Sequence, residues 1–180
     1  MRVRDPVERA PLLDLAEVYR TYALDLRRFA LYLSGDVALA DDLVAEAFAR
    51  AWTVRDRVET STVRGYLFAI VRNLFLRHRS RSRRHTSLDE HALDERPGPE
   101  AVARGQSELR VVLTALAGLP EIDRAAVLMR ADEGLSYDEI AAALGITIAA
   151  AKVKVHRARL RLAETLQAPS GLASSKERLL

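Results

Sequence analysis

Apolar residues recur three and four positions apart along most of this 180-residue chain, the period of helices that bury one face. From Pro11 the series Leu12, Leu15, Tyr19, Tyr22, Leu26, Phe29 and Leu33 predicts a first helix. Ser34-Gly35-Asp36 closes it and caps the next. A second helix over about Val37 to Val54 turns Leu39, Leu43, Ala47, Phe48, Ala51 and Trp52 inward. A third, over about Val63 to Arg79, presents Val63, Leu67, Ile70, Val71 and Leu74 to a core. Tyr66, Phe68, Arg72, Asn73, Phe75 and Arg77 lie across its other faces. Aromatic and basic residues interleaved in this way suit a surface that stacks bases and neutralises phosphate, although Phe68 and Phe75, each on its own, read as core.

Periodicity fades over Thr86 to Gly105, where Pro97-Gly98-Pro99 and several acids predict a flexible linker. It resumes over Gln106 to Gly118 with Leu109, Val112, Leu113 and Leu116 facing inward. Leu119 to Glu164 then holds three more helices. Pro120 fits a first helical turn, where a missing N–H costs nothing, and Gly134 a C-cap. Ser136 and Glu139 have the spacing of a capping box. Ile140, Ala141 and Leu144 form the inward face of a short helix that Gly145 ends. Thr147 caps the next, whose apolar side runs Ile148, Ala151, Val155, Ala158, Leu162. Two helices joined through a glycine turn, the second one basic, form the helix-turn-helix pattern. The expected fold is therefore all-α: two small helical domains, residues 11–84 and 106–167, joined by a flexible linker over 85–105, the second domain a helix-turn-helix. Met1 to Ala10 and Ala168 to Leu180 read as a polar lead-in and a tail.

Charge sharpens this picture through its distribution, because the formal total is only +3. Lys152, Lys154, His156, Arg157, Arg159 and Arg161 follow one another on the last helix with no acid among them. A merely solvated face usually mixes signs to avoid like-charge repulsion, so this helix points to nucleic acid. The stretch from His78 to Arg84 is a second phosphate-binding candidate. Asp41, Asp42 and Glu46 gather instead on the second helix, where dipole stabilisation and docking of a basic partner account for them equally well.

Composition removes other classes of function. The chain has no cysteine, hence neither disulfides nor thiol catalysis. His78, His85, His91 and His156 lack metal-ligand spacing. Asp41 and Asp42, being adjacent, point to different sides of a helix and make a poor acid pair. No Gly-rich phosphate loop or nucleophile elbow is present. The reading is of a protein that is not an enzyme and needs no cofactor. The apolar run of a secretory signal and any spanning segment are missing, so a cytoplasmic protein without membrane insertion is expected.

Taken together the two halves resemble an extracytoplasmic-function (ECF) sigma factor of bacterial RNA polymerase. LSGDVALADDLVAEAFARAW and RGYLFAIVRNLFLRHR are similar to the family's second region. LPEIDRAAVLMRADEGLSYDEIAAALGI followed by KVKVHRARLRL is similar to its fourth. The resemblance implies that the helix bearing Asp41, Asp42 and Glu46 docks on the clamp helices of the largest polymerase subunit, with the flap as a further contact. It implies that Val54 to Thr62 holds a flipped-out base, while Arg72, Asn73 and Arg77 help read and open the minus-ten element. The basic helix would read the minus-thirty-five element, with Lys152, Lys154 and Arg157 as contact candidates and His156 and Arg159 on phosphates. Promoter DNA, core polymerase and an anti-sigma protein are the implied partners. Where the family commonly has a Gly-Thr pair this chain has Ala149 and Ala150, which bears on promoter preference more than on fold. The frequent tryptophan of the melting helix is Tyr66. Two other functions fit the residues: a helix-turn-helix activator that does not open promoters, and an interaction module that binds polymerase or an anti-sigma protein.

Overall fold

The computed structural model describes residues 14–53, 63–86 and 104–167, and among these it has helices and no strand. In chain order they are α1 (Leu15–Ser34), α2 (Val37–Thr53), α3 (Val63–Thr86), α4 (Arg104–Ala117), α5 (Glu121–Ala131), α6 (Tyr137–Leu144) and α7 (Ile148–Gln167). The base-holding segment expected at Val54 to Thr62, most of the linker and the tail lie outside the described residues.

The ends of the helices follow from local chemistry. Asp14 caps α1, its carboxylate accepting the Ala16 and Glu17 N–H groups. Gly35 terminates α1 at φ 77°, a left-handed conformation that suits a residue without a Cβ, and its N–H donates to the Leu31 carbonyl. Asp36 then accepts the Leu39 N–H at 3.0 Å and starts α2. α3 runs further than expected, through the arginines after His78 to Thr86. Nothing in HRSRSRR breaks a helix, and its polarity argues only that the segment is not buried. α5 ends at Ala131 rather than at Gly134; that glycine, at φ 66°, shapes the turn after it, so that the Leu135 N–H reaches the Met129 carbonyl at 2.9 Å.

The first three helices close around Phe29 and Phe68, whose rings meet nearly edge-on at 5.0 Å. Leu26, Leu33, Leu67 and Val71 are fully buried beside them, and Phe75 is buried too. Met129, Leu135, Ile140, Val155 and Ala158 form the corresponding centre of the second half. Several expected core positions lie at the rim instead. Trp52 is 49% exposed, one turn past Phe48 at the end of α2, and Tyr19 keeps an exposed face while its ring packs on Phe48 at 4.8 Å. Leu109, Val112 and Ile148 are also exposed.

The two halves pack on each other, and their buried side chains form one continuous cluster. α1 lies against α4 and α5, and α3 against α6. Charged groups line this seam. Arg28 of α1 donates from Nε to Asp132 at 2.6 Å and from Nη2 to Glu133 at 3.1 Å. Arg64 of α3 donates to the Glu133 backbone carbonyl. Arg72 of α3 grips Glu121 of α5 with two bonds of 2.7 and 2.8 Å, both side chains nearly buried. Arg124, also buried, sits 5.9 Å from the centre of the Phe75 ring.

Candidate nucleic-acid interface

The helix-turn-helix is built by reciprocal caps. Ser136 accepts the Glu139 N–H while the Glu139 carboxylate accepts the Ser136 N–H at 2.7 Å, so α6 begins with both donors satisfied. Gly145, at φ 65°, ends α6 and donates its N–H back to Ala141 and Ala142. Thr147 accepts the Ala150 N–H at 3.1 Å and opens α7. Ala151, Val155 and Ala158 then bury one stripe of α7, which fixes its rotation and leaves Lys152, Val153, His156, Arg159 and Leu160 exposed on the other. Lys152 lies 5.7 Å from the centre of the Tyr137 ring, which Arg130 also covers at 4.9 Å.

Lys154 and Arg157 are placed differently from the other cations. Asp123, in the first turn of α5 and fully buried, accepts two bonds from Arg157, from Nε at 2.6 Å and from Nη2 at 2.7 Å. The Lys154 ammonium approaches the same carboxylate at 3.6 Å, and its side chain is only 20% exposed. Burial works to raise the Asp123 pKa, but the hydrogen bonds and charges of Arg157 and Lys154 outweigh it and hold the carboxyl below the usual range. Arg157 is held still more firmly in its charged form, first by the hydrogen bond to Asp123.

On α3, Asn73 and Arg77 face solvent as the sequence implies, whereas Arg72 is turned into the seam with Glu121. A groove runs between α2 and α3, with Asp42, Glu46 and Arg50 on one wall and Arg77, His78 and Arg81 on the other. The acids of α2 do not form a uniform patch. Asp41 accepts a 2.5 Å bond from Arg27 of α1, which lowers its pKa, and Glu46 pairs with Arg50 one turn on. Asp42 is exposed beside them. The structure thus brings Asp42 and Glu46 close to Arg77, and sets Lys152, His156 and Arg159 on a separate surface. Asp123, Glu121 and the Asp132-Glu133 pair are the residues that periodicity does not single out. An acid in a first helical turn reads as a dipole partner, and only tertiary packing reveals the arginine it meets.

The Sigma-70 region 2 family model matches residues 18–85, covering α1 to α3, and the Sigma-70 region 4 model matches residues 109–162, the helix-turn-helix with the helices before it. The ECF RNA polymerase sigma factor EcfG of Rhodopseudomonas palustris is 36% identical over 78% of this chain and 78% of its own length. The ECF RNA polymerase sigma factor SigE of Mycolicibacterium smegmatis is 33% identical over 88% of this chain, which spans 64% of that relative. Among solved structures, the sigma factor RpoE of Bartonella quintana, in complex with the anti-sigma factor NepR, superposes with a TM-score of 0.72 at 28% identity, over 86% of this chain and 98% of that one. With both regions present in order on one helical chain, the protein belongs to the ECF sigma factors of bacterial RNA polymerase.

Proposed function

We propose that this chain is an alternative sigma factor that brings core RNA polymerase to promoters, opens the duplex with its first half and reads the upstream element with its second. The observation that carries this reading is the placement of two separate cationic surfaces on one sigma-factor fold. One is formed by Arg77 and Arg81 on α3, beside the neutral amide of Asn73, the other by Lys152, His156 and Arg159 on α7. A helix of the α7 kind enters the major groove, where lysine and arginine meet guanine edges or phosphates. Strand opening is not covalent chemistry: the unpairing cost is offset by base capture, stacking and polymerase contacts. Asp42 and Glu46, with Asp41 behind them, face the polymerase clamp, and Arg77 stands across the groove from them. Arg72 joins the DNA contacts of α3 only once Glu121 has left it, because both of its short bonds go to that carboxylate.

The relatives act in transcription with RNA polymerase, which makes the cytoplasm the site of action. Among the described residues no helix is long and apolar enough to cross a membrane. An anti-sigma protein is a further partner by likeness to the Bartonella quintana complex. Run-off transcription with purified core polymerase and genomic promoter fragments tests the reading. Discrete start sites that depend on this chain are expected. Start-independent transcription, or promoter footprints given by the isolated chain without core, would point to an activator instead.

A further inference from the structure

The buried carboxylate of Asp123 has no place in the promoter contacts above, yet it touches two cations of the helix that reads DNA. Its side chain is 0% exposed, and its two partners differ in how much they keep for others. Lys154 is drawn inward, whereas the Arg157 side chain remains 46% exposed although Nε and Nη2 are bonded to Asp123. Arginine is a planar fork. When Nε and the adjacent Nη2 hydrogen are taken by a carboxylate, the far edge, formed by Nη1 and the outer Nη2 hydrogen, is still free. That far edge is able to meet O6 and N7 of guanine with two bonds.

We propose that Asp123 is a specificity-determining positioning residue: from inside the domain it fixes the Arg157 guanidinium so that the free edge reads a guanine in the upstream element. The inference rests on α7 entering the major groove. An unsupported arginine on a helix surface samples many rotamers and serves a phosphate as well as a base, whereas one held by a planar pair has lost that freedom before DNA arrives. Asp123 is suited to the task because α5 packs closely against α7, and because a carboxylate with no exposed surface, neutralised by two cations, does not repel the DNA backbone. Lys154, committed to the same carboxylate, contributes less to base choice than Arg157, and the outward Lys152 and His156 complete the reading face.

The test is selection from a duplex library, randomised over ~10 base pairs upstream of a fixed pre-opened bubble and bound by holoenzyme assembled from the full chain and core polymerase; one helical turn is ~10 base pairs. The wild-type chain is expected to enrich one G·C pair that Arg157→Lys loses, since lysine keeps the charge and lacks the fork. Asp123→Asn should lower the guanine preference at that same base pair about tenfold, the scale of one bidentate contact, while the other enriched positions stay as they were. Asp123→Glu, which keeps the charge and displaces the fork, supplies the second variant if Asp123→Asn does not fold. It should weaken the same single column. A lowering of all columns in proportion, or an unchanged guanine column in whichever variant folds, would make Asp123 a purely structural residue and overturn the proposal. A wild-type selection that enriches no upstream motif would instead remove the groove-reading role of α7 itself.

Discussion

The two basic helices, α3 and α7, meet carboxylates of α5 in different ways. On α7 the partner of Arg157 belongs to the same half of the molecule: Asp123 lies 34 residues away in the chain and on a neighbouring helix of the same packed unit. On α3 the partner of Arg72 belongs to the other half, since Glu121 stands on α5. The first pair does not depend on how the two halves sit relative to each other. The second exists only while the halves are packed together, and it occupies Arg72 of α3 with two bonds. A like geometry, an arginine gripping a carboxylate by two bonds, is therefore internal to one half in one region and bridges the halves in the other. The seam continues this logic with Arg28 on Asp132 and Glu133, so that the side of α3 and α1 facing the second half is occupied by acids before any nucleic acid arrives.

The largest expected effect comes from reversing the acids of the seam. Glu121→Lys together with Asp132→Lys puts like charges opposite Arg72 and Arg28. Losing one partner of a nearly buried pair such as Arg72–Glu121 costs about 3 kcal/mol, which should weaken a seam that apolar side chains also hold. Because the chain has no native cysteine, a dye pair at Glu17→Cys and Glu164→Cys reports the separation directly. A longer distance with unchanged helicity is expected, and an unchanged distance would mean that apolar packing alone holds the seam. A smaller effect belongs to the docking acids. Asp42→Lys with Glu46→Lys should weaken core-polymerase binding on the order of tenfold through lost charge complementarity without altering circular dichroism. Unchanged affinity at physiological salt would remove the docking role of α2.

The smallest expected effect is a dependence on pH. Burial raises the Glu133 pKa to about 7, assisted by Asp132 and Asp25 and opposed by Arg28. Arg64 also faces this residue. When the halves part, Asp25 and much of the burial are removed and the pKa returns towards the ordinary carboxylate value. The packed form thus binds a proton that the open form does not. Its extra stability is fully present below the ordinary pKa and is lost as pH rises through 7. Between pH 8 and pH 6 the packed form should gain about 1 kcal/mol. The same dye pair reads this as a shift towards short distances in acid, and Glu133→Gln should abolish the shift. A wild-type distance distribution that is flat across this range would show that packing takes up no proton at Glu133.

Much of the local architecture was legible because its causes are local. The capping box of Ser136 and Glu139, the caps at Asp36 and Thr147 and the left-handed glycines 35 and 145 follow from residues within a few positions of each other. The exposed face of α7 was equally legible, since Ala151, Val155 and Ala158 define the opposite stripe. The seam was not: Arg28 and Asp132 are 104 residues apart, Arg28 and Glu133 105, and no periodicity links an exposed-looking arginine to a turn in another domain. For the same reason Arg157 and Lys154 read as free cations until Asp123 is seen beneath them. Trp52 and Tyr19 were misplaced for a simpler reason. Helical spacing assigns a residue to a face but does not say how far along that face the neighbouring helices extend.

The assignment of promoter opening to α3 and of duplex reading to α7 is tested most directly by run-off transcription with Asn73→Ala and Arg157→Ala on two templates. One template is an ordinary closed promoter, and the other carries the same sequence with a pre-opened bubble. Asn73→Ala should be severely impaired on the closed template and largely, though not fully, restored by the bubble, because the bubble removes the unpairing cost but not lost base contacts. Arg157→Ala should be impaired alike on both, by about tenfold when its guanine is present upstream. Equal defects of Asn73→Ala on closed and bubble templates would contradict the assignment of α3 to promoter opening.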